Sequence, residues 1–119
     1  MRKVSPLKPL EWMGDSLKEL RTFPREAQRS IGHSLMVVQV GLTAADAKPL
    51  QGIGSGVFEI VTRSDRETYR TVYAVKFAEH VYVLHVFQKK PKSGIKTPRQ
   101  DIDLISRRYK EALRQEEQK

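Results

Sequence analysis

Ala27, Ile31, Leu35, Val38 and Leu42 recur at three- and four-residue steps, a spacing that lays one apolar stripe along a helix. Pro24 suits the first turn of that helix. Ahead of it, Asp15 and Ser16 precede Leu17, and Ser16 with Glu19 has capping-box spacing, so a short helix is predicted from Ser16 to Arg21. Two antiparallel helices with a short join need a sheet to cover their stripe. The segment from Gly41 to Gly56 holds Pro49 and Gly52, Gly54 and Gly56, and reads as a loop. The pattern then changes to Val-, Ile-, Tyr- and Phe-rich runs at Val57 to Thr62, Tyr69 to Phe77 and Val81 to Phe87. A polar hairpin loop from Arg63 to Thr68 and a tight turn from Ala78 to His80 join these runs into an antiparallel meander. A further short strand around Leu7 to Met13 is placed to join it. Thr97, Pro98 and Gln100 give a second capping signal, and Ile102, Ile105, Tyr109 and Ala112 line one face of a C-terminal helix that frays from Glu116. The predicted fold is α+β: a helical hairpin packed on a small antiparallel β-sheet, with a C-terminal helix, in one domain spanning residues 1–119.

Composition narrows the function. A chain of 119 residues with no cysteine has no disulfide framework, thiolate metal site or cysteine nucleophile. No apolar run approaches the roughly 20 residues of a membrane span, and the first residues lack the apolar core of a signal peptide, so no membrane partner and a cytoplasmic location are expected. Lys and Arg number 22 against 14 Asp and Glu, a net charge of +8, which favours a polyanionic partner. Lys89, Lys90, Lys92, Lys96 and Arg99 follow the last predicted strand with no acid before Asp101, a tract suited to facing phosphates. The glycines at 52, 54 and 56 do not read as a phosphate cradle, because nucleotide-binding glycine loops follow a strand and open a helix. This run leads into a strand instead.

His33, His80 and His85 show no recognised metal-ligand spacing with a carboxylate, and no serine sits in a nucleophile elbow. No cofactor or metal is expected. A positively charged sheet and tail suit RNA cleavage without metal: a base deprotonates the 2′-hydroxyl, cations stabilise the phosphorane, and an acid protonates the leaving 5′-oxygen. Strand alternation sets Arg70, Val72, Ala74 and Lys76 on one face, opposite Tyr69, Thr71, Tyr73, Val75 and Phe77. The second set is the bulkier and reads as core. That leaves Arg70, with Glu59 of the neighbouring strand, on an open face where its replacement should spare the fold. Two readings of this pair stand: a structural salt bridge, or a phosphate-clamping Arg70 with Glu59 as proton acceptor or orienter. His85 is either a packed strand residue or the best proton shuttle in the chain. Lys89 and Lys90 are either solvated strand-end lysines or phosphate-holding groups.

The stretches KPLQGIGSGVFEI, YRTVYAVKF and VYVLHVFQKKPKSGIKTPRQDIDLISRRYKEAL, with LKPLEWMGDSLKELRTFP at the front, resemble HigB-like toxins related to phage-derived proteins, within the RelE/ParE superfamily. The likeness covers nearly the whole chain, and its most specific part is LHVFQKK followed by a threonine-proline helix start. It implies two helices packed on an antiparallel sheet, mRNA cleavage on the translating ribosome in many relatives, and neutralisation by an antitoxin encoded nearby, expected to be a helix-turn-helix protein. It also implies that Arg70 contacts the scissile phosphate and that Lys90 and Lys89 are the basic residues after the last strand. Glu59 matches the glutamate of a Glu-Leu-Arg strand in which Val61 replaces the arginine, with Arg63 placed to substitute. Arg63, Lys92, Lys96 and Arg99 are the expected RNA-binding cations. Two rival readings are a ParE-like inhibitor of DNA gyrase on the same fold and a non-catalytic RNA- or ribosome-binding domain.

Overall fold

A computed structural model describes residues 7–77, 79–89 and 97–118. Strand β1 (Leu10–Trp12) leads into helices α1 (Ser16–Leu20) and α2 (Arg25–Gln39). Strands β2 (Ala47–Pro49), β3 (Val57–Ser64), β4 (Glu67–Ala74) and β5 (Val81–Lys89) follow, and helix α3 (Arg99–Glu117) closes the chain. The five strands form one sheet in the order β1-β5-β4-β3-β2. The expected meander β3-β4-β5 is its centre. At one edge β1 pairs parallel with β5, Leu10 opposite Val81. At the other, β2 pairs antiparallel with β3, Lys48 opposite Glu59. The second edge corrects the reading of residues 41–56 as loop throughout.

Each face of the sheet carries its own core. The α1–α2 hairpin covers one face, where Ala27, Ile31, Leu35 and Val38 meet Ile60, Tyr69, Tyr73, Val83 and Val86. Burial pushes the Tyr73 phenol up to about 12, so it contributes neutral bulk. Helix α3 covers the other face, where Ile105, Tyr109 and Ala112 meet Val57, Val72, Ala74, Tyr82 and Leu84. The face expected to be open is therefore closed by α3. Alternation assigned the residues of β3 and β4 to the right sides but gave no sign of which helix lies on the second side. Phe77, expected beside Tyr73, packs on the α3 side because β4 has ended at Ala74.

Both predicted helix caps resolve differently. Neither Asp15 nor Pro98, the residues at the N-caps of α1 and α3, makes a side-chain capping bond. The Ser16 hydroxyl instead donates to the Val83 carbonyl at 3.4 Å, so α1 is tied to β5. At the other end of the hairpin, α2 stops in a Schellman turn. Gly41, at φ +93, and Leu42 donate to the carbonyls of Val38 and Val37 respectively. Leu42, expected in the apolar stripe, lies beyond this turn and is exposed.

The glycines before β3 are explained by packing. A side chain at Gly54 would collide with the Tyr109 ring, whose hydroxyl donates to the Ser55 carbonyl at 3.1 Å. Gly56, at φ +72, lies against the Lys76 backbone. The β3–β4 hairpin is tighter than expected: Ser64 pairs with Glu67, and the two turn residues, Asp65 and Arg66, both have positive φ. That is the backbone of a type I′ turn, where glycine is preferred second. Arg66→Gly should raise stability by about 1 kcal/mol, visible as a higher melting temperature. An unchanged or lower one would mean that the Arg66 side chain stabilises the turn.

Candidate functional site

Directly paired residues on the α3 side of the sheet form rows across the strands. Nearest the β3–β4 hairpin, Arg63 pairs with Thr68 and Thr68 with Lys89. The next row is Val61, Arg70 and Phe87. The third is Lys48, Glu59, Val72 and His85. The fourth, Val57, Ala74 and Tyr82, is apolar and lies beneath α3. Rows one and three bracket Arg70, on β4, with charged and titratable groups from the other three strands, β2, β3 and β5. At a strand spacing of about 4.8 Å, the backbones of Arg63 and Lys89 stand roughly 10 Å apart.

A β-bulge brings His85 into this array. Strict alternation would place residues 81, 83, 85 and 87 on one face of β5. The register slips between Val72 and Tyr73, so Val72 faces His85 while Tyr73 faces Val83. Leu84 is the extra residue, and Leu84 and His85 both turn toward α3. Arg108 of α3 donates to the Leu84 carbonyl at 2.9 Å and to Asp15 at 2.9 Å, anchoring the bulge to both flanking elements. The hydrogen bond from Arg108 holds the Asp15 carboxyl below its ordinary value.

Arg70 and Glu59 are a desolvated pair, with 7 % and 1 % of their surface exposed. Arg70 Nη1 donates to Glu59 Oε1 at 2.6 Å. Glu59 Oε2 accepts from the Thr97 hydroxyl at 3.2 Å, and Lys48 Nζ stands 4.0 Å from Oε1. With both oxygens engaged, Glu59 is built to hold Arg70 in place. Arg70 Nε is buried with no hydrogen-bond partner. Lys89 is buried too, against the reading of it as a solvated strand-end lysine. Burial, and then the nearby Arg70 charge, hold its ammonium pKa below the ordinary value.

His85 stacks on Phe87, ring centres 4.9 Å apart, and its Nε2 lies 2.7 Å from Asp101 Oδ1. A carboxylate only accepts, so Nε2 carries the proton in this contact and Nδ1 is the nitrogen left to exchange one. Nδ1 is buried without a partner. The arrangement gathers fixed cations, a lysine with a lowered pKa and a carboxylate-oriented imidazole, the components of acid–base phosphoryl chemistry.

Of the residues expected from sequence, Glu59, Arg70, His85 and Lys89 share this face. Arg63 projects from the same face, exposed at the hairpin end, and Arg99 is exposed at the start of α3. Lys90, Lys92 and Lys96 lie outside the described residues. His80, expected as a surface turn residue, is partly buried and contacts Glu116 at 3.1 Å. Sequence reasoning missed Asp101, Thr97 as a site residue, and Lys48. Asp101 had one available signal, its place in the first turn of a helix opened by Thr97-Pro98. Among the described residues no group of three or more acidic or histidine side chains could hold a metal ion, and no helix is long and apolar enough to cross a membrane.

A five-stranded sheet clasped between a helical hairpin and a C-terminal helix is the α+β fold of RelE/ParE-like toxins. It matches the solved structure of a mutant E. coli toxin RelE in the free state with a TM-score of 0.56 and 24% identity, over 74% of this chain and 88% of that one. The sequence model of the family described as phage derived protein Gp49-like (DUF891) matches residues 18–110. The chain belongs to that family, a family of RelE-like toxins. No curated protein matches it.

Proposed function

We propose that this protein is the toxin of a type II toxin–antitoxin pair and that it cleaves mRNA by metal-independent acid–base catalysis, with the chain acting as one domain in the cytoplasm. The observation that carries this reading is the convergence of Arg63, Arg70 and Lys89 from three adjacent strands on one end of the sheet, with Arg70 one row from the His85–Asp101 pair. In this reaction the 2′-hydroxyl loses its proton and attacks the adjacent phosphorus. The bond to the 5′-oxygen breaks, leaving a 2′,3′-cyclic phosphate and a 5′-hydroxyl. Arg70, fixed by Glu59, and Arg63 stabilise the charge that builds on the phosphorane oxygens. Lys89, in its neutral form, takes the 2′-proton. His85 supplies the proton to the leaving oxygen through Nδ1, with Asp101 fixing the ring. Lys90, Lys92, Lys96 and Arg99 supply further cations for the RNA phosphates. The codon-reading step on the ribosome, and a helix-turn-helix antitoxin as in HigB-like pairs, complete the reading.

Expression alone should arrest growth, and primer extension on cellular mRNA should show new 5′ ends. With purified protein and programmed ribosomes, a single 2′-deoxy substitution at the cut site should abolish cleavage. Arrest with DNA damage and no new 5′ ends would move the protein to gyrase inhibition. Arrest with neither would leave an RNA- or ribosome-binding module.

A further inference from the structure

We infer that Lys48 is a positioning residue for the phosphate site, neutralising Glu59 so that Arg70 can turn its free hydrogen-bonding capacity to a phosphate oxygen. The inference rests on the catalytic reading for which phosphate this is, and on the charges alone for the rest. Glu59 cancels Arg70, to which it is bonded at 2.6 Å with both side chains buried. Asp101 cancels a protonated His85. Lys89 adds no charge in the neutral form that accepts a proton. A phosphodiester brought to Arg70 therefore meets a guanidinium whose charge is already matched, beside a carboxylate that repels it. The charge that grows on the phosphorane deepens the conflict. Arg63 offsets part of it, but from the exposed hairpin end, two rows away from Glu59.

Lys48 is placed to resolve the conflict. Strand β2 pairs it directly with Glu59, so it approaches the carboxylate from one side of β3 while Arg70 approaches from β4 on the other. Its Nζ stands 4.0 Å from Glu59 Oε1, and its side chain is 54% exposed against 2% for Glu59. A cation so exposed is still hydrated and contributes little to the resting pair. Closing by about 1 Å would bring it to the length of a charge-assisted hydrogen bond. Arg70 Nη1 on Oε1 and the Thr97 hydroxyl on Oε2 leave the carboxylate room to accept it, since each oxygen offers two lone pairs. Arg70 then keeps its bond to Glu59, and Nε, buried with no partner, is a donor left for the phosphate. Lys48 also acts on the proton acceptor. After burial, the charges of Arg70 and Lys48 lower the Lys89 pKa while Glu59 raises it, so the four groups share one field.

Single-turnover cleavage of mRNA on programmed ribosomes is the first measurement. Lys48→Met should slow it on the order of tenfold, while the melting temperature stays within about 4 °C of wild type. Lys48→Arg should restore the rate to within about threefold. In a Glu59→Gln background the carboxylate charge is gone, and Lys48→Met should change the rate less than about twofold. An equal loss in both backgrounds would overturn the inference, because Lys48 would then act on the RNA itself. So would a Lys48→Met rate within about twofold of wild type. The second measurement needs neither cleavage nor the Glu59 variant. Inorganic phosphate is titrated into the full chain while NMR follows Arg70 Nε and the Glu59 carboxylate carbon. Phosphate should shift both signals in the wild type and bind at least about tenfold more weakly to Lys48→Met. Equal affinity for the two proteins, or a Glu59 carbon that does not move, would overturn the inference. A wild type that binds phosphate in this way but leaves mRNA intact would sink the catalytic reading and leave the role of Lys48 standing.

Discussion

Alanine in place of Arg70 should cost about 3 to 5 kcal/mol of folding stability, a large share of the roughly 5 to 15 kcal/mol that holds a typical domain together. Glu59 is almost wholly buried and takes its one short ion pair from Arg70. The Thr97 hydroxyl and the largely exposed Lys48, at 4.0 Å, remain, but neither replaces a desolvated guanidinium. This reverses the expectation, drawn from the residue's position on a face read as open, that the fold would tolerate the change. Replacing both partners by methionine should recover most of the loss, because an apolar pair of similar size removes the desolvation penalty along with the attraction. Urea unfolding of the single and double variants measures this. A loss under about 1 kcal/mol for Arg70→Ala would mean that the pair behaves as a solvated surface bridge. The folded double variant then isolates chemistry: cleavage should be slower by on the order of 10²-fold or more if Arg70 stabilises the phosphorane. A rate within about threefold of wild type would make the pair structural only.

Lys89→Met should produce the opposite combination, a fall in cleavage of on the order of 10²-fold or more with no loss of stability. The fold disfavours the Lys89 ammonium, so the folded-state pKa lies below its ordinary 10.5. Between those two values the unfolded chain binds more protons than the folded one, and stability therefore rises with pH across that window. Below the window both states are protonated and the penalty stands in full. The methionine variant should thus be the more stable protein at neutral pH, with its advantage shrinking as pH approaches 10.5. Paired urea titrations along a pH series check the sign, and single-turnover cleavage checks the chemistry. Wild-type cleavage by Lys89→Met would remove the lysine from the reaction and leave His85 as the group that exchanges the proton.

The elements legible from sequence are those whose periodicity is set by burial on one side. The stripe on α2 and the Val- and Tyr-rich meander belong here, as does Ile105, Tyr109 and Ala112 on α3. Residues 47–49, Ala-Lys-Pro, carry no strand signature because a three-residue edge strand is held by pairing with β3 and buries little. On β5, Val81 to Phe87 is apolar on both faces. A pattern with no alternation cannot register a slip of one residue, so the bulge at Leu84 and the side to which His85 turns were invisible. Asp101 is a single acid on an amphipathic helix. Its meaning comes from a histidine sixteen residues earlier in the chain, a relation of tertiary structure alone. Glu59, Arg70 and Lys89 were readable as residues but not as a buried array, since which helix covers which face is decided by packing.

The parallel pairing of β1 with β5 constrains the order in which the chain can assemble. Leu10 finds Val81 only after about seventy intervening residues have been placed, whereas β3 and β4 are joined by two residues and β4 and β5 by a short connection. Loop-closure entropy favours the local hairpins first and sets the N-terminal edge last. Substitutions in β1, such as Leu10→Ala, should then speed unfolding while leaving the refolding rate nearly unchanged, and substitutions in β4 should slow refolding. During synthesis the α1–α2 hairpin emerges before β2 to β5, so most of its apolar stripe is a waiting surface until those strands arrive.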